Sequence, residues 1–269
     1  MANAKLGGEL HRQRGTAENY GIDAERYDRT RPRYPEALVT RILQACPGAG
    51  LLDVGVGTGI EARQFQAAGG TVLGVEPDAR MAEFARAQGT ETEVARFEDW
   101  EPQGRRFDGV ISGQAWHWVD AAVGAAKAAS VLRPGGLLAP FWNVAETPEE
   151  VREAFRDIYV EVVPDALATR AYTMPNPPLN ASPLLTRTVD GIRQAGVFGE
   201  PEQWEFAWDH VYDKDEWLDQ LPTLGDHGQF PPEKLDRVVA GVGAAIDALG
   251  GSFTMKYTAV VVAATLPAA

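Results

Sequence analysis

The sequence predicts a doubly wound α/β fold built on a parallel sheet. Short apolar segments alternate with segments of helical period between residues 35 and 143, which is the pattern of successive βαβ units. A cluster of glycines stands where the first apolar segment passes into a helix. The chain has 269 residues, of which 45% are hydrophobic, so it carries enough apolar material for one ample core.

The elements of this core follow one another with clear boundaries. Pro35 suits a first helical position, and Pro47-Gly48 ends the apolar period that it opens. Glycines close the helices that follow. The predicted helices cover residues 35–46, 61–70, 79–89 and 121–132, and the predicted strands cover 51–54, 71–78, the weaker start of 91–100, 107–114 and 137–143.

The pattern changes after residue 143. Thr147 and Pro148 are suited to begin a helix, and residues 172–183 hold four prolines and predict a loop. Helices are predicted over 188–198, 213–221 and 231–251, and strands over 202–212 and 252–266. We therefore expect one domain in four parts: an N-terminal arm (1–34), a ligand-binding core (35–143), a helical lid insertion (144–200) and C-terminal strands and helices that complete the sheet (201–269).

Charge and composition disfavour several classes of partner. The net charge is −13, which repels nucleic-acid backbones and anionic lipid, so neither is expected as a partner. Cys46 is the only cysteine, and the four histidines lack the i, i+4 spacing of a helical zinc site, so no metal site is expected. The first residues lack the apolar stretch of a secretory signal, which favours a cytoplasmic protein.

A glycine-rich turn carries the functional signal. Asp53 precedes Gly55, Gly57 and Gly59 at a strand-to-helix junction, where glycines allow a tight turn and close approach of the backbone to a ligand. The next strand ends in Glu76, an acid placed to bond the two hydroxyls of a ribose. Glu76 alone suits NAD and S-adenosylmethionine equally. The third glycine comes one residue earlier than in the dinucleotide fingerprint, which disfavours NAD.

The D-x-G-x-G-x-G turn followed by V-L-G-V-E-P-D resembles class I S-adenosylmethionine-dependent methyltransferases. The segments A-R-F-E-D-W, F-D-G-V-I-S-G-Q-A-W-H-W-V-D and V-L-R-P-G-G-L-L-A-P-F-W-N extend the likeness in the same order, over residues 27–143. The leading Y-D-R-T-R-P-R-Y-P is similar to the small-molecule group that includes the trans-aconitate and ubiquinone/menaquinone methyltransferases. The resemblance implies a Rossmann-like, mostly parallel seven-stranded sheet whose last strand is antiparallel.

The resemblance also implies the residues that would hold S-adenosylmethionine. Met81 would lie against the adenine, Phe97 and Glu98 would flank it and its amino group, and Gln114 and Ala115 would lie near the methionine moiety. Met81 and Phe97 are equally suited to ordinary core packing, and Glu98 to a solvated loop. The expected cofactor-binding residues are Tyr27, Arg31, Asp53, Gly55, Gly57, Gly59, Glu76, Pro77, Met81, Phe97, Glu98, Gln114 and Ala115.

Two segments are candidates for roles around the acceptor. In related enzymes the N-terminal arm folds over the cofactor, and Arg31 could hold its methionine carboxylate through a bidentate pair or form a surface salt bridge. His117 follows the fourth strand and is the candidate general base, because its usual pKa suits proton transfer at neutral pH. A base is needed only for a protonated acceptor, so His117 could instead shape the loop. Trp116 and Trp118 could line an acceptor pocket or pack in the core.

The predicted function is S-adenosylmethionine-dependent methyl transfer to a small-molecule acceptor, with S-adenosylhomocysteine as the second product. One alternative is a protein of the same fold that binds the cofactor without methylating, for example a cyclase. A second is an NAD-dependent oxidoreductase, which the absence of a recognisable hydride-transfer pair disfavours. The exposed aromatic residues of the arm are compatible with a homodimer.

Overall fold

The computed structural model describes residues 20–174, 179 and 182–268. Its α-helices are α1 (Ala24–Thr30), α2 (Glu36–Ala45), α3 (Ile60–Ala67), α4 (Ala79–Ala87), α5 (Ala121–Val131), α6 (Glu149–Val162), α7 (Leu167–Thr173), α8 (Pro183–Ala195), α9 (Lys214–Gln220) and α10 (Pro232–Ala248). Its strands are β1 (Gly50–Val54), β2 (Thr71–Glu76), β3 (Glu91–Val94), β4 (Phe107–Gly113), β5 (Leu132–Glu146), β6 (Glu202–Asp213) and β7 (Ser252–Thr265).

The strands form one seven-stranded sheet in the order β3-β2-β1-β4-β5-β7-β6. The first five strands are parallel, with Leu52 of β1 aligned to Leu73 of β2 on one side and to Val110 of β4 on the other. β7 is antiparallel to both β5 and β6. The predicted fold is confirmed, including the antiparallel last strand. The order reverses between β1 and β4, and ligands of such sheets bind beyond the strand ends at that point.

Side-chain alternation gives each face of the sheet its own core. Leu52 and Val54 of β1 face the layer that contains α5 and α8, together with Trp100 and Trp116. Leu51 faces the opposite layer, where it packs with residues of α2 and α3. The parallel strands are therefore buried on both faces, as their near-continuous apolar composition predicts.

Four of the helices form a separate layer against β6 and β7. Phe155 and Tyr159 of α6 pack with Tyr212, Trp217 and Phe253 in a third buried cluster, to which α7, α9 and α10 also contribute. We call α6, α7, α9 and α10 the helical layer. None of the helices in the described residues is long and apolar enough to cross a membrane.

The structure divides the predicted lid (144–200) into parts with different positions. β5 continues to Glu146, so the insertion begins later than predicted. α6 and α7 join the helical layer with helices of the predicted C-terminal part, whereas α8 packs beside α5 on the sheet. Gly191 allows this packing, because a Cβ there would lie 2.5 Å from Cβ of Ala121. Amphipathic period predicts a helix but does not select the layer against which it packs.

Candidate functional site

Two adjoining cavities lie at the carboxyl ends of β1, β2 and β4. The first is lined by Glu76, Met81 and Phe97, and the second by Arg31 and Glu61. They share walls formed by the N-terminal arm, the glycine turn and the loop after β4: Tyr20, Tyr27, Gly55, Gly57, Gly113, Gln114 and Trp118. The cavities therefore occupy the place where the strand order reverses.

The glycine turn forms the floor that the two cavities share. Gly55 has a φ of 72°, and a Cβ at this position would lie 2.5 Å from Cβ of Ala115. Gly57 has a φ of 55° and donates its backbone N–H to Oε2 of Glu76 at 2.9 Å. Residues with side chains rarely adopt such φ values, so glycine allows the backbone to come close to a ligand here.

Glu76 ends β2 inside the first cavity, with its side chain 8% exposed. Its Oε1 accepts the backbone N–H of Asp78 at 2.9 Å, so both carboxylate oxygens are oriented by backbone donors. Burial raises the pKa of Glu76 to about 7, against the lowering effect of those two hydrogen bonds. A carboxylate held in this way still has lone pairs free to accept ribose hydroxyls.

The rest of the first cavity is an apolar slot with one acid at its edge. Met81 and Phe97 are 5% and 3% exposed, and they line the slot beside Pro77. Glu98 lines it as well, and its Oε1 accepts the backbone N–H of Asp120 at 3.3 Å. The walls suit a flat heterocycle with polar edges, which is the shape of adenine. The structure thus brings together Met81, Phe97 and Glu98, the three residues that the resemblance assigned to the adenine.

Arg31 lies at the wall of the second cavity, where the arm meets the helical layer. Its guanidinium carbon lies 4.7 Å from the ring centre of Tyr27 and 5.7 Å from that of Tyr20. Its Nη2 donates to the carbonyl of Thr223, whereas its Nε is buried without a hydrogen-bond partner among the described residues. Stacking and this hydrogen bond orient the guanidinium, and an acceptor for Nε is still needed.

The loop after β4 closes the wall that both cavities share. Gln114 has a φ of 54°, unusual for a residue with a side chain, and it donates from Nε2 to the carbonyl of Asn143 at 3.2 Å. Asn143 in turn donates from Nδ2 to the carbonyl of Arg33 and accepts from Nε1 of Trp208. The network connects β4, β5, β6 and the arm, and it holds Gln114 in a strained conformation at the site.

His117 lines the second cavity, but its surroundings weigh against the predicted role as a base. Nε1 of Trp142 donates to its Nδ1 at 3.4 Å, so the proton of the neutral ring lies on Nε2. Burial, with a smaller contribution from Arg187, lowers the pKa of His117 to about 4. A neutral ring in this tautomer presents a donor rather than an acceptor. The assignment of a base to His117 stays a prediction.

Asp53 and Gly59 are not among the residues that line the two cavities, and their contact with a cofactor stays a prediction. Asp53 is fully buried, and neither carboxylate oxygen has a hydrogen-bond partner among the described residues. Burial raises the pKa of Asp53 well above its usual value, with Glu61 and Glu76 acting in the same direction. Gly59 has a φ of 85° and is the residue that precedes α3.

The structure adds four polar residues to the second cavity that sequence reasoning missed: Tyr34, Thr58, Glu61 and Asn143. Glu61 is 6% exposed although it is charged, and it belongs to the first turn of α3 directly after the glycine turn. Burial raises the pKa of Glu61 to about 8. The sequence held one signal for the burial of Glu61: it stands between two apolar residues, Ile60 and Ala62, which are both buried.

The arm is attached over the cavities by ion pairs at both ends of α1. Arg26 and Arg29 each donate to the carboxylate of Asp219 on α9, at 2.9 Å in the closest contacts. Asp28 pairs with Arg63 of α3 at 2.5 Å. These contacts place Tyr27 across the mouth of the site. The first 19 residues of the predicted arm lie outside the described residues.

Comparison with known proteins identifies the core of the chain. Residues 52–139 match a family model described as a methyltransferase domain. The segment that holds the glycine turn and the strands around it is therefore similar to methyltransferase domains. An uncharacterized methyltransferase of Mycobacterium tuberculosis is 33% identical over 136 residues, which are 50% of this chain and 56% of that relative. A Saccharomyces cerevisiae protein classed as an S-adenosylmethionine-dependent methyltransferase is 30% identical over 135 residues, 46% of each chain.

Solved structures show the same fold over more of the chain. A protein of Anaeromyxobacter dehalogenans, described as a type II methyltransferase, has a TM-score of 0.60 at 22% identity and covers 89% of this chain and 99% of its own. The chain spans about half the length of the curated relatives that it matches. The comparisons agree with the predicted methyltransferase family over residues 52–139, and the restriction to small-molecule acceptors stays a prediction.

Proposed function

We propose that this methyltransferase binds S-adenosylmethionine across the two cavities and transfers its methyl group to a small-molecule acceptor, leaving S-adenosylhomocysteine. The observation that carries the proposal is Glu76, a carboxylate buried at the end of β2 beside the glycine turn. It stands at one side of an apolar slot, while Arg31 stands at the wall of the adjoining cavity. These positions match a cofactor whose adenosine lies in the apolar slot and whose amino-acid tail extends towards Arg31.

The bound cofactor would supply an activated methyl group on a sulfonium, so the protein's contribution is chiefly to position the reactants and exclude water. Glu76 would accept the ribose hydroxyls, and Met81 and Phe97 would hold the adenine between them. Arg31 would pair with the methionine carboxylate through its unpartnered Nε. Tyr20 and Tyr27 would cover the site from the arm.

The choice of a small-molecule acceptor has two supports. Tyr20 and Tyr27 of the arm line both cavities, which gives an acceptor a pocket with aromatic walls. The net charge of −13 disfavours the approach of a polyanion such as a nucleic acid. A dimer and a cytoplasmic location remain expectations from the sequence.

Calorimetric titration with S-adenosylhomocysteine, with NAD⁺ in parallel, tests the cofactor. We expect micromolar binding of S-adenosylhomocysteine, about 8 kcal/mol of binding free energy, and none of NAD⁺. Binding of NAD⁺ alone would refute the proposal.

Methyl transfer is tested separately, with S-adenosylmethionine carrying a deuterated methyl group. It is incubated with a metabolite extract, and mass spectrometry searches for labelled products. A labelled small molecule that forms only in the presence of the protein supports transfer. Tight cofactor binding without any labelled product would favour a protein that binds the cofactor for another purpose.

A further inference from the structure

Glu61 is a buried acid in the second cavity to which the proposed function assigns no role. It belongs to the first turn of α3 and is 6% exposed. The backbone N–H groups of Glu61 itself and of Gly113 donate to its carboxylate. None of the ion pairs found within the described chain includes Glu61. Burying a carboxylate without a cation is costly, so this position needs an explanation.

The absence of a side chain at Gly113 makes room for this carboxylate. A Cβ on Gly113 would lie 2.8 Å from Oε1 of Glu61 and 2.9 Å from Oη of Tyr34. Tyr34 is held beside α3 because its backbone exchanges two hydrogen bonds with the side chain of Gln64. Glu61, Tyr34 and Gly113 thus form one polar corner of the second cavity, directly behind the end of β4.

Arg31 and Glu61 give the second cavity walls of opposite charge. Arg31 lowers the pKa of the Tyr27 and Tyr34 hydroxyls, and Glu61 raises it. Both phenols therefore lie close enough to Arg31 and to Glu61 to feel their charges. Arg31 has an unpartnered donor, and the carboxylate of Glu61 accepts two backbone hydrogen bonds but forms no ion pair among the described residues, although Arg63 acts on it from a distance. A ligand that satisfies both must carry an anion and a cation a few ångströms apart, as the carboxylate and ammonium of an α-amino acid do.

We propose that Glu61 binds the ammonium group of the cofactor's amino-acid end, opposite the carboxylate held by Arg31. This inference rests on the proposed function, since it needs the cofactor to lie with its tail in the second cavity. It assigns to Glu61 a specificity role: the site distinguishes a cofactor with an intact amino acid from nucleosides that share only its adenosine and sulfur.

The test compares three probes on the purified full chain by calorimetry. S-adenosylhomocysteine carries both tail charges, its decarboxylated form keeps only the ammonium, and methylthioadenosine lacks both. We expect Glu61→Gln to weaken the first two at least tenfold, because a buried charge-assisted pair is lost, and methylthioadenosine less than twofold. Glu36→Gln is the matched control, since Glu36 occupies the first turn of α2 as Glu61 does that of α3, but is exposed.

Other results would overturn the assignment. An equal loss for all three probes would make Glu61 a support of the glycine turn, and no loss for any probe would leave it without a ligand. If the unmodified protein bound methylthioadenosine but not S-adenosylhomocysteine, the tail would not enter the cavity. If Glu76→Gln weakens every probe while Glu61→Gln weakens none, the proposed function survives and the role of Glu61 does not.

A measurement on the unmodified protein keeps the inference testable if Glu61→Gln does not fold. Pairing with ammonium requires ionised Glu61, so the affinity ratio of S-adenosylhomocysteine to methylthioadenosine should rise severalfold from about pH 6 to about pH 8. The ratio cancels the titration of Glu76, which acts on both probes. A ratio independent of pH would contradict the inference. Glu61 interacts electrostatically with six other charged or titratable groups: Tyr27, Arg33, Tyr34, Asp53, Arg63 and Glu76.

Discussion

Glu76→Gln should change how the stability of the free protein depends on pH. The pKa of Glu76 is raised from 4.5 to about 7 in the folded protein. The folded state therefore holds this proton more tightly than the unfolded state does. The corresponding stability is fully present below pH 4.5, is lost as pH rises towards 7, and stays constant above it. Glutamine has nearly the same shape and cannot ionise, so the variant lacks this loss.

The size of the effect follows from the two pKa values. A difference between 4.5 and about 7 corresponds to about 3 kcal/mol of unfolding free energy. For a chain of this length each kcal/mol shifts the unfolding midpoint by roughly 2–4 °C, so the wild-type midpoint should fall about 6–12 °C further than that of the variant. At low pH the variant should be the less stable of the two proteins. The carboxyl of Glu76 accepts two backbone N–H groups, whereas the amide of glutamine has one acceptor oxygen and its N–H₂ would face the other backbone N–H.

Scanning calorimetry of both proteins between about pH 5 and about pH 9 measures this difference. Saturating S-adenosylhomocysteine should flatten the wild-type curve, because ribose hydroxyls stabilise the ionised carboxylate. Calorimetric titration should show at least tenfold weaker binding to the variant. Parallel stability curves would refute the buried, proton-holding state of Glu76. Unchanged affinity would refute its role as the ribose ligand.

Three further predictions concern the surroundings of the site. Gly113→Ala should lower the unfolding free energy by about 1–3 kcal/mol and weaken the binding of S-adenosylhomocysteine, because its Cβ would lie 2.8 Å from Oε1 of Glu61. The control is Gly228→Ala, where the nearest neighbour of a Cβ is 4.0 Å away. It should change neither quantity in the same thermal scans and titrations. The ring of His117 should stay neutral down to about pH 5 in a proton NMR titration, with its signal assigned through His117→Gln. A midpoint near its usual 6.5 would contradict the effect of burial on this ring. Asp219→Asn should weaken the binding of S-adenosylhomocysteine about threefold at low ionic strength and not at about 1 M salt, because it releases the two arginines of α1. The control is Asp247→Asn, which removes an ion pair with Lys214 away from the arm. An equal effect from this control would show that the arm is not responsible.

Asp53 shows why proximity in the sequence is a poor guide to the site. It stands two residues before Gly55, but β1 is extended and alternate side chains point to opposite faces. Asp53 therefore shares the face of Leu51, which packs towards α2 and α3, and it lies behind the turn. Glu76 and Met81, which do line the first cavity, stand at the end of a strand and in the first turn of a helix, where the register relative to the cavity is set locally.

Glu61 shows the reverse. Its neighbours in the chain are Ile60 and Ala62, and its chemical surroundings come from Tyr34 and Gly113, far away in the sequence. Nothing in the local pattern states that a glycine at the end of β4 makes room for its carboxylate. The tautomer of His117 is of the same kind, because Trp142 on β5 supplies the hydrogen bond that selects it.

The sequence by itself determined the order of strands and helices, the glycine turn and the acid that ends β2. These depend on period, glycine placement and strand length, which act over a few residues. Only the tertiary structure decided that α8 joins the sheet while α6 and α7 join the helical layer, that Asp53 is not part of the cavity walls, and that Glu61 lines the same cavity as Arg31. Those outcomes depend on packing between segments far apart in the chain, where burial sets the charge of a carboxyl and the space beside it.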